Sequence, residues 1–151
     1  MEFRKFSGET INIVQYVRDY ILKMPNTEIL IGCDSQNSAT KTCYAVIVAL
    51  YEPGHGAHVV YRREKVRKER NDKVRLMTEV WKSVEVASLL RDSGLTVKYV
   101  DIDINPNPKF KSSEVYESAC GLVRGFGFDC RYKTLAPLCT TIADFMARKQ
   151  R

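Results

Sequence analysis

Histidine is nearly missing from this chain. Its two copies are His55, in a Pro53-Gly54-His55-Gly56 turn, and His58 just after it, both remote in sequence from every cysteine. A zinc site built from Cys and His is thereby excluded, and H-x-x-H alone is an incomplete metal site. Chemistry that runs on a histidine base has little to draw on. The five cysteines are an odd number with no C-x-x-C pair, which argues against a disulfide framework. They read as reduced, mostly buried thiols of a reducing compartment. No apolar run nears the roughly 20 residues of a membrane span, and Met1-Glu2-Phe3-Arg4-Lys5 leads into no signal-type core. Neither a Walker-type glycine loop nor G-x-G-x-x-G is present. Gly121-Leu122-Val123-Arg124-Gly125 does not substitute, because its first glycine falls inside a helical pattern. Repeats, low-complexity tracts and linkers are absent too. The expectation is one soluble, cytoplasmic domain over residues 1–151 with no membrane partner.

What is present is a core and a basic surface. Hydrophobic residues make up 44% of the chain, its net charge is +6, and its pI is near 9.1. That balance favours a polyanionic partner. The stretch Ile29-Leu30-Ile31-Gly32-Cys33-Asp34-Ser35-Gln36 is the organising feature. It reads as a central strand, apolar on both faces, with a carboxylate where it leaves the sheet. A buried, unpaired Asp is costly, so Asp34 either caps a turn or meets something positive, such as a metal ion.

Periodicity supplies the remaining elements. A helix is expected over 10–23, carrying Ile13, Val14, Val17, Ile21 and Leu22. Strands follow over 27–34, 41–51 and 58–63, as an antiparallel meander with short polar links. Asn71 or Asp72 can cap a helix running to about Asp92 and stopped by Gly94, with Leu76, Val80, Val84 and Ala87 as its core stripe. Glu79 and Glu85 sit off that stripe. A strand over 96–104 carries Asp101 and Asp103, which alternation puts on the same side. Ser112 or Ser113 can cap a helix to about Arg124. A short strand over 128–133 and a last helix over 138–148 complete the order. Asp144 lies in that last helix, where its plainest role is an i to i+4 pair with Arg148.

Charge is concentrated between Arg62 and Arg75, where eight basic residues stand against three acidic ones. This run is either a solvated strand end and helix start or a ridge that contacts phosphates, and clustering is what favours the second. Arg67, Lys68, Arg70 and Lys73 are its candidate contacts, with Lys133 further on.

Carboxylates thus stand on the first strand (Asp34), the next helix (Glu79), the fourth strand (Asp103, with Asp101) and the last helix (Asp144). This order resembles the ribonuclease H-like fold, an α/β architecture with a five-stranded mixed sheet. Here that implies a three-strand antiparallel meander plus parallel strands, flanked by helices, with an extra N-terminal helix. Within that superfamily the chain looks like the YkuK family. Ile31-Gly32-Cys33-Asp34-Ser35-Gln36 matches an I-G-x-D-S-Q pattern. Val100-Asp101-Ile102-Asp103-Ile104-Asn105 resembles V-H-x-D-I-N/G, and Lys133 precedes Ala143-Asp144 by the expected interval. Two departures stand out: Asp101 replaces the family's usual His, and Lys133-Thr134 replaces its Lys-Pro.

The resemblance implies a metal-dependent nuclease acting on RNA, an RNA–DNA hybrid or branched DNA. A phosphodiester repels an attacking hydroxide. Two divalent ions about 3.5–4 Å apart overcome that repulsion and need oxygen ligands converging on one point. Asp34, Glu79, Asp103 and Asp144 are the implied catalytic ligands of Mg2+ or Mn2+, with Asp101 as an extra or substitute ligand. Lys133 would contact phosphate, and products would carry a 3′-hydroxyl and a 5′-phosphate. Symmetric cutting of branched DNA would call for a homodimer. Two alternatives stay open: an inactive nucleic-acid-binding or adaptor module on the same fold, and a protein whose acids only form structural ion pairs.

Overall fold

The computed structural model describes residues 1–104, 107, 109 and 111–132. In chain order the elements are β1 (Glu2–Arg4), β2 (Thr10–Asn12), α1 (Ile13–Lys23), β3 (Glu28–Asn37), β4 (Lys41–Glu52), β5 (Gly56–Arg67), α2 (Asp72–Asp92), β6 (Val97–Ile102), a 3-10 turn over Lys111–Val115, α3 (Tyr116–Gly125) and β7 (Cys130–Tyr132). One mixed sheet holds all seven strands in the order β2-β1-β5-β4-β3-β6-β7. β3, β4 and β5 form the antiparallel meander. β6 joins β3 in parallel and β7 joins β6 in parallel, with α2 leading into β6 and α3 into β7. The expected five-stranded mixed sheet is therefore present at the centre, with two short strands added beyond β5.

Those two strands are the first correction. Each is three residues long, too short for alternation to register. They pair with each other, and β1 reaches β5 only at Arg4 and Tyr61. Phe3 is fully buried there. The first helix consequently begins at Ile13, not Thr10, with the Asn12 side chain accepting the Gln15 N–H at 3.2 Å as an N-cap. β5 also runs four residues past the expected Arg63, because it pairs with β4 as far as Arg67 opposite Lys41. Charge concealed that continuation, since this half of β5 is charged and half-buried to exposed while β4 opposite it stays buried. The first half of the basic run is thus strand and the last part is helix.

Asn71 caps α2 through the Val74 N–H at 3.1 Å, and α2 ends at Asp92, as the sequence implied. Gly94, at φ +88, supplies the left-handed turn that follows. α2 buries Val80, Val84, Val86, Ala87 and Leu90 against the β3 and β6 side of the sheet. Two further boundaries moved. β6 stops at Ile102, and the third helix is preceded by the 3-10 turn, with no side-chain cap at Val115.

The sheet has two apolar faces, as a strand without strict polar alternation requires. Ile29, Ile31 and Cys33 of β3 lie with α1, α2 and α3 in the larger cluster. Leu30, Ala45, Ile47, Ala49, Val59 and Tyr61 form a second cluster, to which no residue of α1, α2 or α3 belongs. β3 is paired along both edges, with β4 and β6, so Asp34 stands on an interior strand of the sheet. The expected last helix and strand residue, including Lys133 and Asp144, lie outside the described residues.

Candidate functional site

Strand β3 continues to Asn37, three residues past its expected end, so Asp34 lies within the strand, opposite Ala45 of β4 and two residues beyond Gly32, where pairing with β6 stops; it is buried, at 6% exposure. Its carboxylate accepts the N–H of Ser35 at 2.8 Å, so it folds forward along the strand. Alternation puts Ser35 on the α2 side, where its hydroxyl donates to Glu79 Oε2 at 3.2 Å. Glu79 is 4% exposed, which corrects the expectation of a Glu lying off the core stripe on the helix surface. Helix rotation explains the difference. Glu79, Ser83, Val86 and Leu90 are all buried, so the covered face of α2 is wider than the Leu76-Val80-Val84-Ala87 stripe.

Burial pushes the Glu79 carboxyl well above its ordinary range. The charges of Asp34 and then Asp103 push it the same way, while Arg75 and the Ser35 hydrogen bond oppose them. Acids from β3 and from the end of β6 thus both bear on Glu79 of α2. The Cys33 thiol is raised too, first by burial and then by Glu79 and Asp34. Cys33, Glu79, Ser83, Asp101 and Asp103 are among the residues around a tightly closed gap at this end of the sheet, which has no room for a water molecule and which Asp34 does not line.

Asp101 and Asp103 part company here. Asp101, inside β6, receives a two-pronged ion pair from Arg131 of β7, with Nε to Oδ1 at 2.8 Å and Nη2 to Oδ2 at 3.1 Å. Its side chain is 1% exposed. Arg131 also lies over the Tyr99 ring, 4.4 Å from its centroid. Asp103 lies one residue beyond the strand, where alternation no longer dictates its direction, and its charge bears on Glu79. Two Asp residues in one strand are tolerated because one is paired across the ladder and the other has left it.

Among the described residues, no three His, Cys, Asp or Glu side chains stand close enough together to enclose a metal ion. The donor chemistry nevertheless suits a hard divalent cation: three carboxylates, no thiolate poised to compete, and a buried acid crowded by like charges. Asp144 falls outside the described residues.

The histidines take no part. The His58 Nε2 and the Tyr16 hydroxyl share a 2.5 Å hydrogen bond, and Tyr20 stacks on the His58 ring at 5.5 Å. Burial lowers the His58 pKa. This is packing between α1 and β5.

Within the basic run, structure separates compensated residues from the rest. Arg62 donates to the Glu2 carbonyl, Lys82 pairs with Glu64 at 2.7 Å, and Lys73 pairs with Glu114 at 2.5 Å. Arg67, Lys68 and Arg70 make no ion pair among the described residues. The linker that carries Lys68 and Arg70 is nonetheless held. The Thr42 hydroxyl accepts the Glu69 N–H at 2.9 Å and donates to Asn37 Oδ1 at 2.5 Å, and the Asn37 amide donates to the Glu69 carbonyl at 3.1 Å.

Ser35, Arg75 and Arg131 are the residues that reading the sequence for acids passed over. Arg75 stands four residues before Glu79, a spacing that puts both on one helix face and could have flagged it. Arg131 carries no such signal.

Among the described residues no helix is long and apolar enough to cross a membrane. No curated protein matches the chain. The sequence model of the ribonuclease H-like family matches residues 12–148, a span that takes in β3, α2 and β6 together with their acids, and the chain belongs to that family.

Proposed function

We propose that this protein is a divalent-metal-dependent nuclease that hydrolyses phosphodiester bonds of RNA, an RNA–DNA hybrid or branched DNA. The observation that carries the reading is Glu79: a buried carboxylate with Asp34 and Asp103 both raising its pKa. Like charges bearing on a buried carboxylate are unfavourable, and a site for Mg2+ or Mn2+ would give the arrangement a purpose. Asp34, Glu79 and Asp103 would hold the ions, with Asp144 as the fourth ligand. Asp101, already paired with Arg131, is better placed to hold β6 and β7 together. At the finer level we assign the chain to the YkuK-like members of the family, on Ile31-Gly32-Cys33-Asp34-Ser35-Gln36.

Bound divalent ions supply an activated water and charge neutralisation at the phosphate. The chain's own residues do the rest. Arg67 at the end of β5, and Lys68 and Arg70 on the linker fixed by Thr42 and Asn37, draw in the anionic strand, with Lys133 as a further phosphate contact. Ser35 donates to Glu79 Oε2 and so orients that carboxylate. Water adds across the P–O3′ bond, leaving a 5′-phosphate and a 3′-hydroxyl.

The paired state of Asp101 and the spacing of the acids favour a second reading, an inactive nucleic-acid-binding module on the same fold. One experiment separates the two. End-labelled RNA, hybrid and four-way-junction DNA are incubated with the protein in Mn2+, Mg2+ or EDTA, beside Asp34→Asn. Metal-dependent cleavage lost in the variant supports the nuclease. Binding without cleavage under every condition selects the module.

A further inference from the structure

Arg75 stands inside the acidic site, although it belongs by sequence to the basic run. Its Nη1 donates to Ser35 Oγ at 3.0 Å, and that same hydroxyl donates to Glu79 Oε2 at 3.2 Å. Its Nη2 reaches Asp72 Oδ1 at 3.2 Å, three residues back on α2. Its Nε is buried and has no hydrogen-bond partner among the described residues. A guanidinium kept only for a structural pair would present two parallel N–H bonds to the carboxylate. Here a hydroxyl stands between Arg75 and Glu79, one prong goes to an Asp that is 64% exposed, and the third donor is unsatisfied. The side chain is held, but incompletely.

Resting on the metal-site reading above, we propose that Arg75 is the resident counter-charge of the metal-free carboxylate site and that it competes with the divalent cation. The guanidinium offsets the charge of Glu79 and its neighbours. A cation held by Asp34, Glu79 and Asp103 repels it. Asp72, at the exposed start of α2, is already within reach and can keep the displaced group near Arg70 and Lys73. There it faces the incoming phosphate rather than the acids. Arg75 is thus a positioning residue in the metal-free protein and a phosphate contact in the loaded one.

The test is calorimetric titration of Mn2+ into the full chain, as wild type, Arg75→Met and Arg75→Lys. Removing one unit charge several ångströms from the ion, at the effective dielectric of a protein, corresponds to about tenfold or more in affinity. Arg75→Met is therefore expected to bind Mn2+ about tenfold more tightly, and Arg75→Lys, which keeps the charge, close to wild type. Arg75→Gln, uncharged and able to donate to Ser35, stands in should the Met variant not fold. With Mn2+ loaded, the Met variant is also expected to bind single-stranded RNA more weakly than wild type. Wild-type binding of Mn2+ with an unchanged or weaker constant in the uncharged variants overturns this proposal and leaves the metal site standing. Absence of Mn2+ uptake in all the proteins overturns both.

Discussion

Replacing Glu79 by Gln should stabilise the metal-free protein, an unusual expectation for a buried polar residue. Gln keeps the shape and leaves an oxygen to accept the Ser35 hydroxyl, so the 3.2 Å hydrogen bond survives. What changes is charge. Asp34 and Asp103 repel the Glu79 carboxylate, Arg75 attracts it, and burial penalises it. At an effective dielectric near 20, each charge pair several ångströms apart is worth about 2 kcal/mol. Two repulsions against one attraction leave about 2 kcal/mol in favour of Gln, before any gain from avoided desolvation. For a chain of this size that is about 4–8 °C in Tm. The sign follows from linkage. The folded pKa is raised, so the carboxylate's penalty is absent below the unfolded value near 4.5, grows as pH rises toward the folded pKa, and is constant above it. Thermal melts in EDTA, followed by circular dichroism from pH 4 to pH 8, should show the two proteins converging at the acid end and the variant higher at neutral pH. With Mn2+ added, only wild type should gain substantially. A variant less stable than wild type in EDTA, or a gap that does not depend on pH, would refute the electrostatic account of this residue.

Three other outcomes follow from the same geometry. Arg131→Met removes the two-pronged ion pair from the buried Asp101 carboxylate and should cost about 3–5 kcal/mol in a urea melt. Adding Asp101→Asn to it should recover most of that loss, and failure to recover would mean that Arg131 acts through Tyr99 instead. Thr42→Val removes a fully buried hydroxyl that both accepts from Glu69 and donates to Asn37, and should cost about 1–3 kcal/mol. Amide exchange in residues 68–71 should quicken in that variant. Reversing Arg67, Lys68 and Arg70 together to Glu should weaken RNA binding and reduce the slope of log affinity against log salt by about 2–3, since each lost phosphate contact removes about 0.7–0.9. An unchanged slope would show that the strand runs elsewhere.

Asp34 was legible because it ends an apolar run, and a lone acid in a strand covered on both faces stands out against its surroundings. The meander and its parallel additions were legible for the same reason: β3, β4 and β6 are long enough for their patterns to repeat. Glu79 was different. Its place in the order of acids was readable by resemblance, but its burial was not, because a helical stripe gives the centre of the covered face and not its width. What sets Asp101 apart from Asp103 is where β6 stops and its pair with Arg131, thirty residues away across a ladder that the sequence does not display. β1 and β2 were hidden by their length, and the end of β5 by its charge. The Arg75-Ser35-Glu79 chain joins i to i+4 neighbours through a third residue on another element, and only the fold brings that third residue in.

The account stands on one claim, that acids from β3, α2 and the end of β6 form a single cation site. Calorimetric titration of Mn2+ into wild type and Asp34→Asn, with folding of both verified by circular dichroism, tests it most directly. Saturable uptake by wild type, lost or weakened at least tenfold in the variant, is the expected result. Equal uptake by both, or none by wild type, would contradict it.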